Sequence, residues 1–298
     1  MSESSPQEIA ALFTRHPRTF AEHRFVYPVV SRRSGGMSVG INLNPDKVCN
    51  FDCIYCQVER VSHGEVRFVD TEPLLAELDH TLTLVSSGAI YDVPRFRSTP
   101  ESLRRLNDIA FSGDGEPTTY RNFDQIIARC AEVKRRHALD DVKMVLITNA
   151  SMFHRVAVRR GLEIFDRNNG EIWAKLDAGT EEYYRLVDRT KIPFRQVLDN
   201  LTEAARARDL IIQSMFMRIA GNPPSIEEQQ AYCHRLNEIV AAGGRIKRVQ
   251  VYTVARLPAE ANVMPLSDAE VDAIVHQVRT RTALAAEAFH GPDVTNVD

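Results

Sequence analysis

Apolar and polar positions along this chain alternate between two periods. Residues 38–43 (SVGINL) read as the first core strand, entered from the flexible Ser34-Gly35-Gly36. Residues 72–85 follow with Leu74, Leu75, Leu78 and Leu82 at helical spacing and Pro73 near the start. Strand character returns at 108–111. Helical spacing returns at 122–136, where Phe123, Ile126, Ile127, Cys130 and Val133 share a face. The sequence then predicts a strand at 142–147, a helix through 156–160 and a strand at 171–176. Helices near 181–187 and 194–208 come next, then a strand at 210–219. Pro224 and Ser225 open another helix with Glu227 and Glu228 in its first turn. A strand at 246–251 precedes a last helix, where Ser267 and Glu270 read as a capping box before Val271, Ile274 and Val278. Residues 86–100 carry neither period.

Six strand candidates result, each but the last followed by a helical crossover, with no internal repeat. That is an α/β chain with parallel strands and right-handed crossovers. A closed eight-fold barrel needs eight such units.

Composition narrows the class. The chain has 298 residues, 44% hydrophobic and 26% charged, the balance of a folded globular chain and not of a disordered one. No apolar run approaches the roughly 18 residues of a membrane helix, and the start MSESSPQEIAALF lacks a basic stretch before an apolar core. A cytoplasmic protein is the expectation. The net charge of −3 argues against a surface that tracks phosphates throughout. Charge is unevenly placed, however. Arg15, Arg18, Arg24, Arg32 and Arg33 face only Glu22, whereas beyond 257 Glu260, Asp268, Glu270, Asp272, Glu287, Asp293 and Asp298 outnumber Arg279 and Arg281. Two solvated faces explain this; so does a basic arm that touches an anionic substrate.

The cysteines are lopsided. Cys49, Cys53 and Cys56 crowd into eight residues as Cys-x3-Cys-x2-Cys, while Cys130 and Cys233 stand alone on helical packing positions. A secreted disulfide framework is denser and belongs to a smaller chain. Three close thiols suit a soft metal or an iron–sulfur core. A closed cluster takes four cysteines, so three leave one metal position for another ligand. A zinc site completed by His63, as in a zinc-stabilised nucleic-acid-binding module, is a second reading. A Cys53/Cys56 redox pair and inert packing are others.

This spacing, with Tyr55 before the last cysteine, resembles the signature of radical S-adenosylmethionine (radical SAM) enzymes. The wider stretch GINLNPDKVCNFDCIYCQVE is most similar to the subgroup of tRNA wyosine-base synthesis enzymes and related iron–sulfur oxidoreductases. The resemblance implies a [4Fe-4S] cluster held by Cys49, Cys53 and Cys56, its fourth iron ligated by S-adenosylmethionine. It also implies a partial (β/α)6 barrel at 38–256, between an N-terminal extension 1–37 and a C-terminal helical extension 257–298. An external flavodoxin or ferredoxin would supply the electron. The substrate is left open, with tRNA one candidate.

In parallel α/β folds ligands bind beyond the carboxyl ends of strands. There lie the cysteine loop, then Ser112-Gly113-Asp114-Gly115-Glu116-Pro117-Thr118, then Thr148-Asn149, then Lys175 and Asp177. Gln213 and Ser214 lie on the fifth strand, and Tyr252 and Arg256 follow the sixth. Gly113, Gly115 and Glu116 read as a plain turn by themselves; they resemble the family's Gly-Gly-Glu motif, which binds the methionyl amino group. Asn149 reads as a helix cap or a cofactor contact. Lys175 and Asp177 read as an ion pair or cap, or, by the resemblance, as the region near the ribose. Lys175 pointing to substrate is a further reading.

Overall fold

The computed structural model describes residues 18, 20–31, 33–60, 64, 66, 68–256 and 260–291. Arg15, Arg32, His63, Asp293 and Asp298 lie outside the described residues, as does the whole of 1–17. The chain separates into two compact units. The first is Met1–Cys49, Ser62–Ile147 and Val156–Glu171; the second is Asn50–Val61, Thr148–Arg155 and Ile172–Asp298.

In the first unit β1 (Val26–Ser31) and β2 (Gly36–Ile41) form an antiparallel pair, Val26 opposite Ile41 and Ser31 opposite Gly36. After β2 comes α1 (Thr71–Ser86), whose Leu74, Leu78 and Leu82 are fully buried. Each such leucine contributes roughly 1.5–3 kcal/mol of hydrophobic stabilisation. The chain returns as β3 (Leu106–Phe111), parallel to β2. It crosses through α2 (Phe123–Arg136) to β4 (Lys143–Thr148), parallel to β3, and on to α3 (Val156–Asp166). The apolar stripe of α2 faces α3, where Phe123 stacks on Phe165 and Phe111 meets Phe165 edge-on. The lone thiol Cys130 is buried on that stripe, and burial pushes it up.

The second unit alternates in the same way: β5 (Gly170–Lys175), α4 (Glu181–Asp188), α5 (Phe194–Ala207), β6 (Asp209–Met215), β7 (Arg218–Ile219), α6 (Ile226–Ala241), β8 (Arg245–Tyr252), β9 (Val263–Met264), α7 (Asp268–Thr282) and β10 (Ala286–Phe289). Strands β5, β6, β8 and β10 are parallel neighbours in that order, and β7 pairs antiparallel with β9. Ile211, Ile212, Val249 and Val251 form the buried strand layer. Ser225 caps α6 by accepting from the Glu228 amide at 3.2 Å, and Ser267 with Glu270 forms the capping box of α7.

The α/β class expected from the sequence is the class observed. Most predicted elements shift by a residue or two at their ends, but the helix expected at 156–160 runs six residues further, to Asp166, and three short strands are additional: β1, β9 and β10. The long apolar run at 210–219 is not one strand. It breaks after Met215, where the Phe216 amide turns to the Tyr252 carbonyl, and resumes as β7. Beyond α1, the stretch up to β3 contains two short 3₁₀ turns, Ala89–Asp92 and Glu101–Leu103.

Candidate functional site

In the first unit the ends of β2 and β3 carry two polar loops that grip each other. The Asn42 amide group donates to Asp114 Oδ2 at 2.6 Å, and the Asp114 backbone donates to Asn42 Oδ1 at 3.1 Å. Arg18 closes the other side of Asp114 as an ion pair. Asp114, the residue that interrupts the expected Gly-Gly-Glu run, is therefore a fastening between loops. The flanking glycines are required by contact. A Cβ on Gly113 would stand 2.2 Å from Asn42 Oδ1. Glu116 is buried and accepts from the Thr118 amide at 3.1 Å and from its hydroxyl, capping the short turn Pro117–Thr119. Cys49, the last residue of this unit's first segment, is partly exposed.

In the second unit the cysteine loop is pinned to the C-terminal end of α4. Amides of Asp52 and Ile54 donate to the carbonyls of Asp188 and Val187 at 3.1 and 2.9 Å, and the Thr190 hydroxyl donates to the Asn50 carbonyl at 2.8 Å. The Cys56 amide donates to the Cys53 carbonyl at 2.9 Å, a tight turn between the two thiols. Asn50 and Asn149 lock side chain to side chain at 2.9 Å, and Asn50 also donates to Ser151 Oγ at 2.7 Å. Asn149 accepts from the Ser151 amide and hydroxyl, so it caps a local turn. It is not the cap of the following helix, which begins at Val156.

Lys175, Asp177 and Tyr55 form a buried polar chain. Tyr55 donates its phenol hydrogen to Asp177 Oδ2, while Asp177 Oδ1 accepts from the Met215 amide at 2.7 Å. Lys175 Nζ lies 3.1 Å from the Tyr55 hydroxyl and 4.7 Å from its ring centroid. Asp177 is not a helix cap; Thr180 caps α4, accepting from the Tyr183 amide at 3.2 Å. Burial pushes the Asp177 carboxyl up, opposed by the Lys175 ammonium. Burial pulls the Lys175 ammonium down, but Tyr252, Asp177, Cys53 and Asp188 together hold it up. A small pocket in this unit is lined on the apolar side by Phe51, Tyr184, Phe194 and Val197 and includes the polar Asn149, Lys175, Asp177 and Asp188 in its lining. Gln213 donates to Gln250 at 2.7 Å and Ser214 shares a hydrogen with Tyr232 at 2.6 Å, both fully buried.

Two residues beside the thiols had no signal in the sequence. Cys53 Sγ sits 3.3 Å from Asp188 Oδ1, and burial, then that carboxylate, pushes the thiol up. Arg60 donates from Nη2 to Cys56 Sγ at 3.4 Å. No disulfide joins any of the five cysteines. Cys49, Cys53 and Cys56 are partly exposed, whereas Cys130 and Cys233 are buried. Three accessible sulfur donors on one short loop are a donor set suited to an iron–sulfur core. Among the described residues no three His, Cys, Asp or Glu side chains converge closely enough for a single metal ion. No described helix is long and apolar enough to cross a membrane.

The family model described as "Radical SAM superfamily" matches residues 43–219. Among curated proteins, a "GTPase Obg" of Brachyspira hyodysenteriae is 26% identical over 252 residues, covering 82% of this chain and 32% of that protein. The UPF0026 protein MJ1312 of Methanocaldococcus jannaschii is 28% identical over 251 residues, covering 80% of this chain and 65% of that one. The chain thus spans less than two thirds of the length of either relative. A solved radical SAM methyltransferase from Sphaerobacter thermophilus shares the fold, with a TM-score of 0.62 at 11% identity over 91% of this chain and 70% of that one.

Proposed function

The chain belongs to the radical SAM superfamily and is an enzyme of that class, and from that premise we propose that it cleaves S-adenosylmethionine reductively to begin chemistry on a substrate of its own. Members of the superfamily use a [4Fe-4S] cluster and S-adenosylmethionine, which sets the zinc-module reading aside. Cys49, Cys53 and Cys56 would hold the cluster. Gly113, Gly115 and Glu116 in the first unit, and Asn149, Lys175 and Asp177 in the second, are assigned to S-adenosylmethionine. The core of the enzyme is 38–256, with 1–37 and 257–298 as extensions.

When bound, the two cofactors supply one-electron cleavage of the sulfonium C–S bond and hydrogen abstraction from substrate. The chain's own residues do the positioning. Asn50 and Thr190 hold the cysteine loop. Asp177 is aimed by Met215 and Tyr55, and Lys175 is held by Tyr55. Phe51, Tyr184 and Phe194 keep water from the pocket they wall. An external flavodoxin or ferredoxin is the electron source.

The observation that carries this reading is the contrast between three accessible thiols on one loop and two buried ones elsewhere. Anaerobic reconstitution with iron and sulfide tests it. Cys53→Ser is expected to lose iron and Cys130→Ser to keep it, and the intact protein with dithionite is expected to release 5′-deoxyadenosine and methionine. The reverse pattern of iron loss sinks the assignment. Whether the substrate is tRNA is tested separately by gel shift with bulk tRNA.

A further inference from the structure

The two cysteine sulfurs of the second unit meet opposite neighbours. Cys53 Sγ faces the carboxyl of Asp188 at 3.3 Å, and Cys56 Sγ faces the guanidinium of Arg60 at 3.4 Å. The guanidinium is a permanent cation and a rigid donor, since arginine does not give up its proton in proteins. Its position is not left to chance. Between Cys56 and Arg60 the chain is tied at Gln57, whose side chain donates to the Arg256 carbonyl at 3.4 Å. Upstream, the Cys56 amide is bound to the Cys53 carbonyl. Arg60 also keeps part of its side chain in the fold, being only partly exposed.

We propose that Arg60 is a positioning residue of the cluster: a fixed hydrogen-bond donor to the Cys56 ligand that raises the reduction potential of the iron–sulfur centre. The inference rests on the ligand assignment made above. Its physical basis is the extra negative charge of the reduced cluster. A cation within hydrogen-bond reach of a ligand sulfur stabilises the more negative state more than the less negative one. Potentials of such clusters follow net charge and hydrogen bonds to the sulfurs. One electron enters from the external reductant, and no proton or bond changes at Arg60. An enzyme that draws on an external donor gains from this because a cluster with a higher potential accepts the electron more readily.

The test uses the full chain, reconstituted anaerobically, as wild type and as Arg60→Gln, Arg60→Met and Arg60→Lys. Iron and sulfide per chain are measured first, then the midpoint potential by a redox titration followed by electron paramagnetic resonance. Both neutral variants are expected to load iron as wild type does and to titrate at a more negative potential. Arg60→Lys, which keeps the charge without the fork, is expected to fall between. S-adenosylmethionine cleavage at a fixed, moderate reductant potential should drop in the neutral variants and recover with a stronger reductant. An unchanged midpoint in either loaded neutral variant overturns the proposal. So does loss of iron from both neutral variants with retention in Arg60→Lys, which makes Arg60 a structural requirement of the loop. A wild-type protein that binds no iron defeats the ligand assignment itself, and that result is read before any variant is compared.

Discussion

The carbonyl oxygen of Val48 lies 2.2 Å from where a Cβ on Gly115 would stand. The residue before the first cysteine therefore rests directly on the glycine of the Gly-Asp-Gly-Glu loop. Asn44 makes the other wall; its side-chain carbons lie 2.8 Å from the same point, and its amide reaches Thr119 Oγ1 at 3.2 Å. Neither neighbour is the loose end of a flexible chain. Gly115→Ala is therefore expected to push the lead-in to Cys49 outward, at about 1–3 kcal/mol, as overpacking does. Thermal unfolding checks the stability, and iron per chain after reconstitution checks the displacement. A variant with wild-type values for both would show that the loop gives way freely.

Glu77 on α1 organises the start of β1. Its carboxylate accepts from three consecutive amides, Arg24 at 2.9 Å, Phe25 at 2.8 Å and Val26 at 3.0 Å. Three donors that converge on one anion have no backbone alternative, and Phe25 and Val26 are buried. Glu77→Ala strands them at a cost of about 3 kcal/mol. Glu77→Gln keeps an acceptor oxygen and should lose about half as much. Urea unfolding midpoints give the comparison; equal midpoints for Ala and Gln would remove the carboxylate from the account.

Beside this clamp, His23 Nε2 lies 3.1 Å from His80 Nδ1. Burial lowers the His23 pKa below its usual value; Glu77 opposes this and His80 adds to it. The native state thus binds fewer protons at this site than the unfolded chain does. Its contribution is fully present above the unfolded-state value, near 6.5, and is lost as pH falls through that value toward the lowered one. Stability should therefore decline on acidification below about pH 6.5, and His23→Gln should flatten that limb. A scan of unfolding midpoints from neutral to mildly acidic pH measures both, and an unaltered slope in the variant would assign the limb to other groups.

Much of this architecture was legible in the sequence, for reasons particular residues make plain. Helix α2 follows directly from Phe123, Ile126, Ile127, Cys130 and Val133 at helical spacing, all of which are buried. The three-cysteine loop was legible because its chemistry is contiguous. Strand β1 was not, since Pro28 interrupts its apolar run; the proline is tolerated because β1 pairs only with β2 among the described residues. Strand β10 has only four residues and too little pattern to stand out. Lys175 and Asp177 were visible as polar groups at a strand end, but their common partner Tyr55 lies 120 and 122 residues away. Asp188 and Arg60 had no motif to mark them. Asp188 reaches Cys53 only because the end of α4 is folded against the loop. Arg60 is four residues from Cys56 on a segment outside any helix or strand, where spacing alone predicts no contact.

Asp177 offers a separation of binding from folding. Each carboxylate oxygen is used within the unit, Oδ1 by the Met215 amide and Oδ2 by Tyr55. Asp177→Ala leaves a buried amide and a buried phenol without acceptors, which costs about 2–4 kcal/mol. Asp177→Asn keeps an oxygen for the Met215 amide but meets the phenol with a donor in place of an acceptor, so about half of that loss should be spared. If the charge of Asp177 serves S-adenosylmethionine, the Asn variant should unfold in urea between wild type and Asp177→Ala, yet bind S-adenosylmethionine at least tenfold more weakly than wild type, equivalent to about 1.4 kcal/mol. Calorimetric titration of the reconstituted protein reads the binding. An Asn variant that loses stability but keeps wild-type affinity would leave Asp177 with a purely structural role, holding Tyr55 and the end of β6 in place.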